Sequence, residues 1–289
     1  MNVAYTKQRF QDWFTQQWVI WRGQKINVKD YSWLIGPFGN IGGIGEDSIN
    51  QLAKLENLTI ERNFRNNGLI PSFEELKLSV SDLNKLAKSI IHFYEQTSNY
   101  NLGLKVSWNP FFKFFGIMVN QLFSSRINQL NVPISNINQE EELKSEIITL
   151  RSKHTNKIER TIWLRTIKSS GQVVYSGVYG TCKMPSGETC VKAVFPLPNG
   201  NATVIMSPSV GTTGELILDA SGKKFGDAGF YFLMRDSKKN IWSRYIRVFR
   251  DKLVVKDHNG LLSAEQILTL WNKKAIQFNY KIDQKTKIS

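Results

Sequence analysis

Four polar side chains fall in patterns that could support acid–base chemistry. His92 and Glu95 are three residues apart on a predicted helix, a spacing that lets both side chains point the same way. Asp227 lies in the glycine-flanked run Phe225–Gly229, close to Tyr231. Both patterns also have structural interpretations, because a His–Glu pair near a helix end can cap it and Asp beside Gly is typical of a turn. An enzyme of unknown reaction is therefore one hypothesis, and the sequence favours a role without catalysis.

Motifs for established catalytic, nucleotide or metal chemistry do not occur in the sequence. There is no G-x-S-x-G, P-loop or H-E-x-x-H pattern, and the cysteines and histidines lack metal-ligand spacing. The glycine-rich segment 36–45 precedes a predicted helix, but its spacing G-x-x-G-x-x-G is not the dinucleotide fingerprint. Cys182 and Cys190 flank a Pro-Ser-Gly turn and could face each other across a hairpin, where a cytosolic protein keeps its thiols reduced. We therefore expect no cofactor and no metal.

Apolar side chains favour a different chemistry, the non-catalytic binding of an apolar or amphiphilic ligand. The predicted strand Gly229–Arg235 has Phe230 and Phe232 on one face and Tyr231 and Leu233 on the other. A sheet that is apolar on both faces must be covered on both, by helices, by a second layer, by closure on itself or by a cavity.

The helix predicted for Asn109–Leu130 could cover such a cavity, because its first half is apolar nearly all round. A core helix is the first interpretation of this segment, and a lid over an apolar ligand and a helix that docks on a membrane are the alternatives. The candidate ligand contacts are Phe111, Phe115, Tyr179, Phe230, Phe232 and Trp242, with Arg244 or Arg247 at the mouth for an anionic head group.

The charge of the chain leaves a third hypothesis open. Lys and Arg number 38 against 24 Asp and Glu, a net charge of +14, which could hold a peripheral protein on an anionic membrane or on nucleic acid. The basic residues are dispersed, and no specific nucleic-acid motif is present. Neither a signal-peptide pattern nor a run of about 18 uncharged apolar residues occurs, so we expect a cytoplasmic protein, with peripheral membrane contact as an alternative.

The N-terminal part, residues 1–133, is predicted to be mainly helical. The predicted helices are Lys7–Trp21, Asp47–Leu55, Ser72–Leu76, one helix that begins at Ser79 or Ser81 and carries Leu83 to Tyr94, and Asn109–Leu130. Residues 134–157 are a linker or a first strand, in which Ser145–Arg151 would pair with Ile158–Ile167.

Turn signals divide residues 158–289 into short strands that indicate an antiparallel meander, followed by a C-terminal helix and one more strand. The predicted fold is therefore α+β, a helical N-terminal half packed on a curled antiparallel sheet in the C-terminal half. We expect one compact unit rather than independent domains.

Four runs spread over most of the chain resemble recurrent segments of a family of uncharacterised bacterial proteins. They are Phe93–Thr97, Leu122–Asn131, Val194–Ala202 and Phe225–Tyr231. That resemblance implies no activity and no site. The predicted layout of helices and a curled sheet is also loosely similar in architecture to helix-grip, START-like lipid-binding domains, a likeness of fold that implies lipid binding only by analogy.

Overall fold

The computed structural model describes residue 4 and residues 10–39, 46–62, 66–112 and 136–285. Antiparallel strands dominate the described part. They are β1 (Gln24–Ile26), β2 (Leu58–Arg62), β3 (Tyr100–Trp108), β4 (Ile137–Ser152), β5 (Ile158–Ile167), β6 (Val173–Lys183), β7 (Thr189–Leu197), β8 (Gly200–Val210), β9 (Leu216–Ala220), β10 (Gly229–Arg235), β11 (Ile241–Tyr245), β12 (Phe249–His258), β13 (Leu261–Leu270) and β14 (Lys273–Gln284). The helices are α1 (Phe10–Arg22), α2 (Glu46–Leu55), α3 (Val80–Lys85) and α4 (Lys88–Glu95), with 3₁₀ turns at Phe73–Leu76 and Thr97–Asn99.

Ten of the strands close into a barrel. The order around the barrel is β3, β4, β5, β6, β7, β8, β9, β12, β13 and β14, and β14 returns to pair with β3. Every pairing in this ring is antiparallel. Closure satisfies the backbone groups of what would otherwise be two exposed sheet edges.

The sheet forks at β8, which has different partners along its length. Gly200–Ile205 pairs with β10, and Ser207–Val210 pairs with β9. The branch continues from β10 to β11 and ends at β1. The inner face of β10 therefore adds to the barrel wall near the end where β8 begins.

The predicted α+β class, with a helical half packed on a meander, is wrong because two segments predicted as helical or unassigned are strands. In Tyr100–Trp108, Leu102, Leu104 and Val106 are buried while Asn101, Lys105 and Ser107 are exposed, and this strand joins β14 to β4. The predicted C-terminal helix is replaced by β13, which is paired along both edges with β12 and β14. Pairing on both sides overrides the local helix propensity of residues such as Ala264 and Gln266.

The predicted helices are partly confirmed. Helices α1 and α2 and the 3₁₀ turn at Phe73–Leu76 match their predicted segments, but the single helix predicted from Ser79 to Tyr94 is two helices. Leu86 and Ala87 are extended, and the Ala87 amide donates to the Gly214 carbonyl on the β8–β9 turn. This tertiary bond replaces a helical one.

The long helix predicted for Asn109–Leu130 can be followed only at its start. The Asn109 side chain accepts a hydrogen bond from the Phe111 amide, and residues 110–112 are helical. The rest of that predicted helix, including Phe115, lies outside the described residues.

Residues 66–99 close one end of the barrel. Their side chains and backbone bond the ends of strands: Glu75 bonds Thr181 of β6, and Ser89 bonds Asp257 of β12. Phe73, Ile90 and Phe93 are buried in the same core cluster as the inward residues of the strands. The helices of residues 66–99 therefore plug one end of the barrel.

The strand predicted for Ser145–Arg151 is confirmed within β4, and it pairs with β5 as predicted. Strand β11 ends at Tyr245, and β12 begins at Phe249 after a short turn. The Ile246 amide still donates to the Phe230 carbonyl of β10, and the Phe249 amide donates to the Ile246 carbonyl across the turn.

Outside the barrel, two further layers cover the strands. Helix α2 and β2 pack over outward residues of β4, β5 and β6. Trp33 and Leu34 pack over Tyr231 and Leu233, which are both 0% exposed. The prediction that both faces of this sheet need cover is therefore confirmed.

Candidate functional site

The interior of the barrel contains a cavity of about 480 Å³. An eight-stranded barrel is just wide enough for its own side chains, and the diameter grows with strand number, so ten strands enclose spare volume. Gly177 leaves room for the Phe195 ring, which a Cβ at residue 177 would meet at 2.8 Å. The wall strands are paired on both edges, so the surrounding chain cannot collapse into this space.

The lining is almost entirely apolar. Val191, Ala193 and Val204 come from β7 and β8, and Phe230 and Phe232 come from β10. Further apolar members are Leu69 and Ile70 at the closed end and Trp108, Ile246, Val248, Leu270 and Trp271 towards the opposite end.

Arg165 brings a positive charge into this apolar space. Its side chain lines the cavity and is 6% exposed. The guanidinium donates a hydrogen bond of 3.1 Å to the Tyr179 hydroxyl and lies over the Trp163 ring, 4.0 Å from its centroid. Because Trp163 is held in turn by a 2.9 Å hydrogen bond to Ser145, the orientation of Arg165 is fixed by packing and hydrogen bonds.

Asp251 brings a carboxyl group to the cavity from β12. The residue is 5% exposed, and its Oδ2 accepts a hydrogen bond of 2.8 Å from the Gln266 side chain. No described residue hydrogen-bonds its Oδ1. Burial raises the pKa of Asp251 to about 7; the Asp219 carboxylate adds to this rise, and the Gln266 hydrogen bond opposes it. A carboxyl group with this pKa gains or loses its proton near neutral pH.

Two tyrosines link Arg165 to Asp251. Burial raises the pKa of Tyr179 and raises that of Tyr280 to about 12. For both hydroxyls the Arg165 charge lowers the pKa and the Asp251 charge raises it. Both tyrosine hydroxyls are therefore within electrostatic reach of Arg165 and of Asp251.

The structure brings three of the eight predicted ligand contacts to the cavity: Tyr179, Phe230 and Phe232. Trp242 packs beside the core but donates its indole N–H to Asp236, at 3.0 Å. Phe111 is 81% exposed.

The two predicted head-group arginines are not inside the cavity. Arg244 donates to the Arg22 carbonyl, and its guanidinium lies over the Trp18 ring, 5.8 Å from its centroid. Arg247 is exposed on the loop between β11 and β12. Phe115, the remaining predicted contact, lies outside the described residues.

The acid–base candidates have separate structural partners. His92 Nδ1 lies 2.6 Å from the Tyr100 hydroxyl, and Glu95 accepts a 2.6 Å hydrogen bond from the Phe73 amide. Asp227 accepts hydrogen bonds from the Lys223 and Lys224 amides, which close a turn.

Tyr231, the fourth candidate, belongs to the same turn as Asp227. Its hydroxyl accepts a hydrogen bond from the Gly226 amide and donates one to the Asp227 carbonyl, at 3.0 and 2.5 Å. These bonds give Glu95 a capping role and place Asp227 and Tyr231 in one turn, whereas His92 contacts the Tyr100 hydroxyl of β3.

The two cysteines face each other across the β6–β7 hairpin, as predicted, and both are buried free thiols. Within the described ranges, no group of three or more potential metal ligands occurs. The described part of the glycine-rich segment packs on the barrel: Gly39 bridges Pro198, and its amide donates to the Leu197 carbonyl. Residues 40–45 of that segment lie outside the described residues.

Sequence reasoning missed Arg165, Asp251 and Gln266. The positions of the first two along their strands could have revealed them, because every second residue of a strand lies on the same face. Arg165 shares a face with the apolar Trp163 and Ile167. Asp251 shares a face with the apolar Leu253 and Val255. A charged residue at an inward position of an apolar strand is costly unless it has a partner or a task.

Comparison with known proteins finds one uncharacterised relative of this chain. The chain is 27% identical over 230 residues to the uncharacterised membrane protein YndJ of Bacillus subtilis (strain 168). The alignment covers 79% of this chain and 40% of the relative, so the chain spans less than half of the relative's length. No family model and no solved structure matches.

The similarity to YndJ confirms the predicted resemblance to uncharacterised bacterial proteins, whereas the likeness to helix-grip domains receives no confirmation. In the part of the chain that the structure describes, no helix is both long and apolar enough to cross a bilayer. The predicted cytoplasmic location stays a prediction.

Proposed function

We propose that this chain is a non-catalytic binding protein that holds an apolar or amphiphilic small molecule inside its β-barrel. The observation that carries the proposal is the apolar cavity of about 480 Å³. Protein interiors are close-packed, and their voids are rarely larger than a water molecule. Small-molecule sites, in contrast, measure roughly 300–1,000 Å³ and combine apolar walls with a few fixed polar groups.

The energetics favour an apolar occupant. Each Å² of apolar surface removed from water contributes roughly 25 cal/mol, and most residues that line the cavity are apolar. Because the walls are hydrogen-bonded strands, the site is formed before the ligand arrives, which reduces the entropic cost of binding.

The proposal is tested with a neutral apolar probe, N-phenyl-1-naphthylamine, whose fluorescence rises when it leaves water. The wild-type protein should bind it at one saturable site. Val204→Trp fills the cavity from β8 and should weaken binding at least tenfold. Val80→Trp, the same exchange at a residue that is 75% exposed, is the matched control and should bind like wild type.

The variants separate cavity binding from surface binding. Circular dichroism shows whether Val204→Trp keeps the native β-signal. If it is folded and still binds the probe as wild type does, the cavity is not the binding site and the proposal fails. Native mass spectrometry of freshly purified protein provides a second readout, the mass of any co-purified ligand.

A second candidate function is contact with an anionic membrane at the end of the barrel opposite residues 66–99. Val248 and Trp271 are 40% and 55% exposed beside the cavity, and the Trp271 amide donates to the Val248 carbonyl at 3.0 Å. Lys273 and Lys274 follow directly and are exposed. Apolar side chains next to cations suit the interface of an anionic bilayer, and the relative YndJ is named a membrane protein.

Vesicle flotation tests the second candidate. The protein should float with phosphatidylglycerol-containing vesicles at low salt and lose binding at high salt, because exposed charges are screened. Trp271→Ala should reduce the bound fraction severalfold. Leu261→Ala, at an apolar residue that is 67% exposed at the opposite end of the barrel, should not. Absent or salt-independent flotation removes this candidate.

A further inference from the structure

Helix α1 exposes an aromatic stripe. Phe14, Trp18 and Trp21 recur at helical spacing on one face, and Trp21 is 80% exposed. The opposite face fixes the helix to the sheet, because Val19 is fully buried and the Gln16 side chain donates a 2.9 Å hydrogen bond to a carbonyl of the β7–β8 turn. Surface helices normally turn their apolar residues towards the core, and contiguous exposed apolar side chains mark contact sites. The aromatic stripe therefore indicates a contact surface.

The aromatic stripe meets the cavity at Trp18. This side chain lines the cavity and is also exposed. Val248, between β11 and β12, and Trp271, between β13 and β14, have the same two properties. Where a side chain both lines a cavity and contacts solvent, the wall of the cavity reaches the protein surface. Trp18, Val248 and Trp271 therefore form an apolar rim beside the stripe.

Trp271 occupies a backbone conformation that bulky residues rarely adopt. It and Asn272 are the two residues between the paired Leu270 and Lys273, and their φ angles are 49° and 62°. Two-residue hairpin turns with positive φ at both positions favour Asn and Gly, and an aromatic residue there is strained. Strained residues cluster at functional sites such as ligand clamps. A tryptophan held in this conformation therefore supports a function for the rim.

The chain around the aromatic stripe and the rim is basic. Residues 18–25, 246–248 and 271–274 contain no Asp and no Glu. The cations of these three segments are all exposed: Arg22, Lys25, Arg247, Lys273 and Lys274. Tryptophan is enriched where lipid meets water, and anionic lipids attract exposed Lys and Arg. The surface of an anionic bilayer therefore complements the stripe and the rim in both polarity and charge.

Single-stranded nucleic acid could use the same residue types, with bases stacked on the rings and phosphates on the cations. A bilayer fits this surface better, because the rim borders a cavity with apolar walls. A base or a phosphate beside such walls would lose hydrogen bonds to water without replacing them, whereas lipid chains lose none.

We propose that the aromatic stripe and the rim rest on an anionic bilayer, and that the cavity exchanges its ligand with this bilayer directly. The ligand is then a membrane-resident apolar molecule or single-chain lipid. This inference rests on the proposed binding function and adds the source of the ligand. Moving apolar surface into water is unfavourable in proportion to its area, so a ligand that passes from lipid to cavity across the rim avoids the slowest step of exchange.

A transfer experiment tests the inference with 1-decylpyrene, a neutral probe that is barely soluble in water. Loaded protein is mixed with phosphatidylglycerol-containing vesicles that carry a dinitrophenyl-labelled lipid, which quenches pyrene fluorescence when the probe arrives. Direct exchange predicts a transfer rate that rises in proportion to vesicle concentration and falls severalfold at high salt, because exposed charges are screened. Exchange through water predicts a rate that does not depend on vesicle concentration.

Two variants locate the contact surface. Trp21 is not one of the described residues that line the cavity, so Trp21→Ala should leave the affinity for decylpyrene unchanged and slow its transfer at least fivefold. Leu55→Ala is the matched control, because Leu55 is an apolar residue of helix α2 that is 76% exposed. Its transfer rate should equal that of wild type. Circular dichroism verifies that both variants are folded.

The outcomes distinguish this inference from the function on which it rests. If wild type does not bind decylpyrene, the binding function fails, and the inference fails with it. If the probe binds but its transfer rate is independent of vesicle concentration, or if folded Trp21→Ala transfers it as fast as wild type, direct exchange is refuted and the binding function stands. Binding of oligo(dT) by wild type and not by Trp21→Ala would make the stripe a nucleic-acid surface and would also refute the inference.

Discussion

The two faces of β10 carry equally apolar side chains and meet different surroundings. On the outer face Tyr231 and Leu233 are 0% exposed, and the Tyr231 ring lies 5.6 Å from that of Trp33 and 4.9 Å from that of Tyr245. On the inner face Phe230 and Phe232 are only partly buried and border the cavity. One face is a completed core and the other is the wall of an unfilled space.

The difference arises from how each face is covered. The outer face is covered by a loop, whose position can adjust until its side chains pack on the strand. Polar groups of the strands fix this loop. Lys192 donates to the Trp33 and Ile35 carbonyls, each at 3.1 Å, and Asn201 donates to the Gly36 carbonyl. The inner face looks across a ring of ten strands whose diameter is set by hydrogen bonding. A loop can move until it contacts the apolar side chains beneath it, whereas strands hydrogen-bonded in a closed ring cannot move inward to fill the space between them.

Truncation on the outer face should have the largest effect on stability. Tyr231→Ala removes a fully buried ring and the hydrogen bonds to Gly226 and Asp227, so the free energy of unfolding should fall by about 5 kcal/mol. Urea denaturation followed by circular dichroism measures the loss. A loss below about 1 kcal/mol would contradict the description of this face as a packed core.

The buried acid of the inner face should make stability depend on pH. The folded-state pKa of Asp251 is raised from 3.8 to about 7, so the folded protein holds this proton more tightly than the unfolded chain. The contribution of this group to the free energy of unfolding is therefore greatest below pH 4, and it falls as the pH rises from about 4 to about 7. Asp251→Asn should remove this penalty and stabilise the protein at pH 8 by up to about 4 kcal/mol.

Thermal unfolding at pH 4.5 and pH 8 measures this effect. The gain from Asp251→Asn should be much larger at pH 8. Asp30→Asn, the same exchange at an exposed residue, is the control and should leave the unfolding midpoint unchanged at both values. An equal gain from Asp251→Asn at the two pH values would show that the carboxyl is ionised throughout and not buried as described.

Truncation on the inner face should cost less than truncation on the outer face. Phe232→Ala removes a ring that already borders open space, so fewer contacts are lost than at a fully packed site, and we expect a loss of about 2 kcal/mol. The same variant enlarges the cavity and should allow a longer aliphatic probe to bind. Urea denaturation and probe titration measure the two effects; a stability loss equal to that of Tyr231→Ala would remove the distinction between the faces.

The two buried thiols of the outer layer should not react with an alkylating reagent in the native protein, which is the smallest effect that we expect. Cys182 and Cys190 are buried beneath that layer, and burial raises the pKa of Cys182 to about 11 and also raises that of Cys190. Iodoacetamide at pH 8 should therefore leave both unmodified in the native protein and alkylate both in urea. Intact mass spectrometry reads the result, and rapid native alkylation would mean that the outer layer opens.

Local features of the fold were predictable from the sequence. The Pro-Ser-Gly turn correctly separated β6 from β7, and the alternation in Gly229–Arg235 correctly indicated that both faces of β10 are covered. Strand β13 was not predictable, because its local sequence suits a helix and only its pairing with two neighbours makes it a strand. Closure of the barrel could not be predicted from local patterns either, because it depends on the pairing of β3 with β14, in which Trp108 lies opposite Ile276, and these strands are far apart in the chain.

The candidate site divides in the same way. Tyr179, Phe230 and Phe232 were found by apolar alternation, and all three line the cavity. Arg165 and Asp251 were missed, because each looks like an ordinary charged residue on its own strand. Closure places β5 and β12 on opposite walls, and only then do both side chains line one cavity.

The sequence by itself determined the strand-rich C-terminal half, the two apolar faces of β10 and the turns that separate the strands, because these follow from side-chain alternation and turn chemistry over a few residues. Only the tertiary structure decided that the sheet closes, that β3 and β13 belong to it, and that Arg165 faces Asp251 across an apolar cavity. The physical reason is that closure is set by hydrogen bonding between distant strands, and the number of strands in the ring sets the space inside.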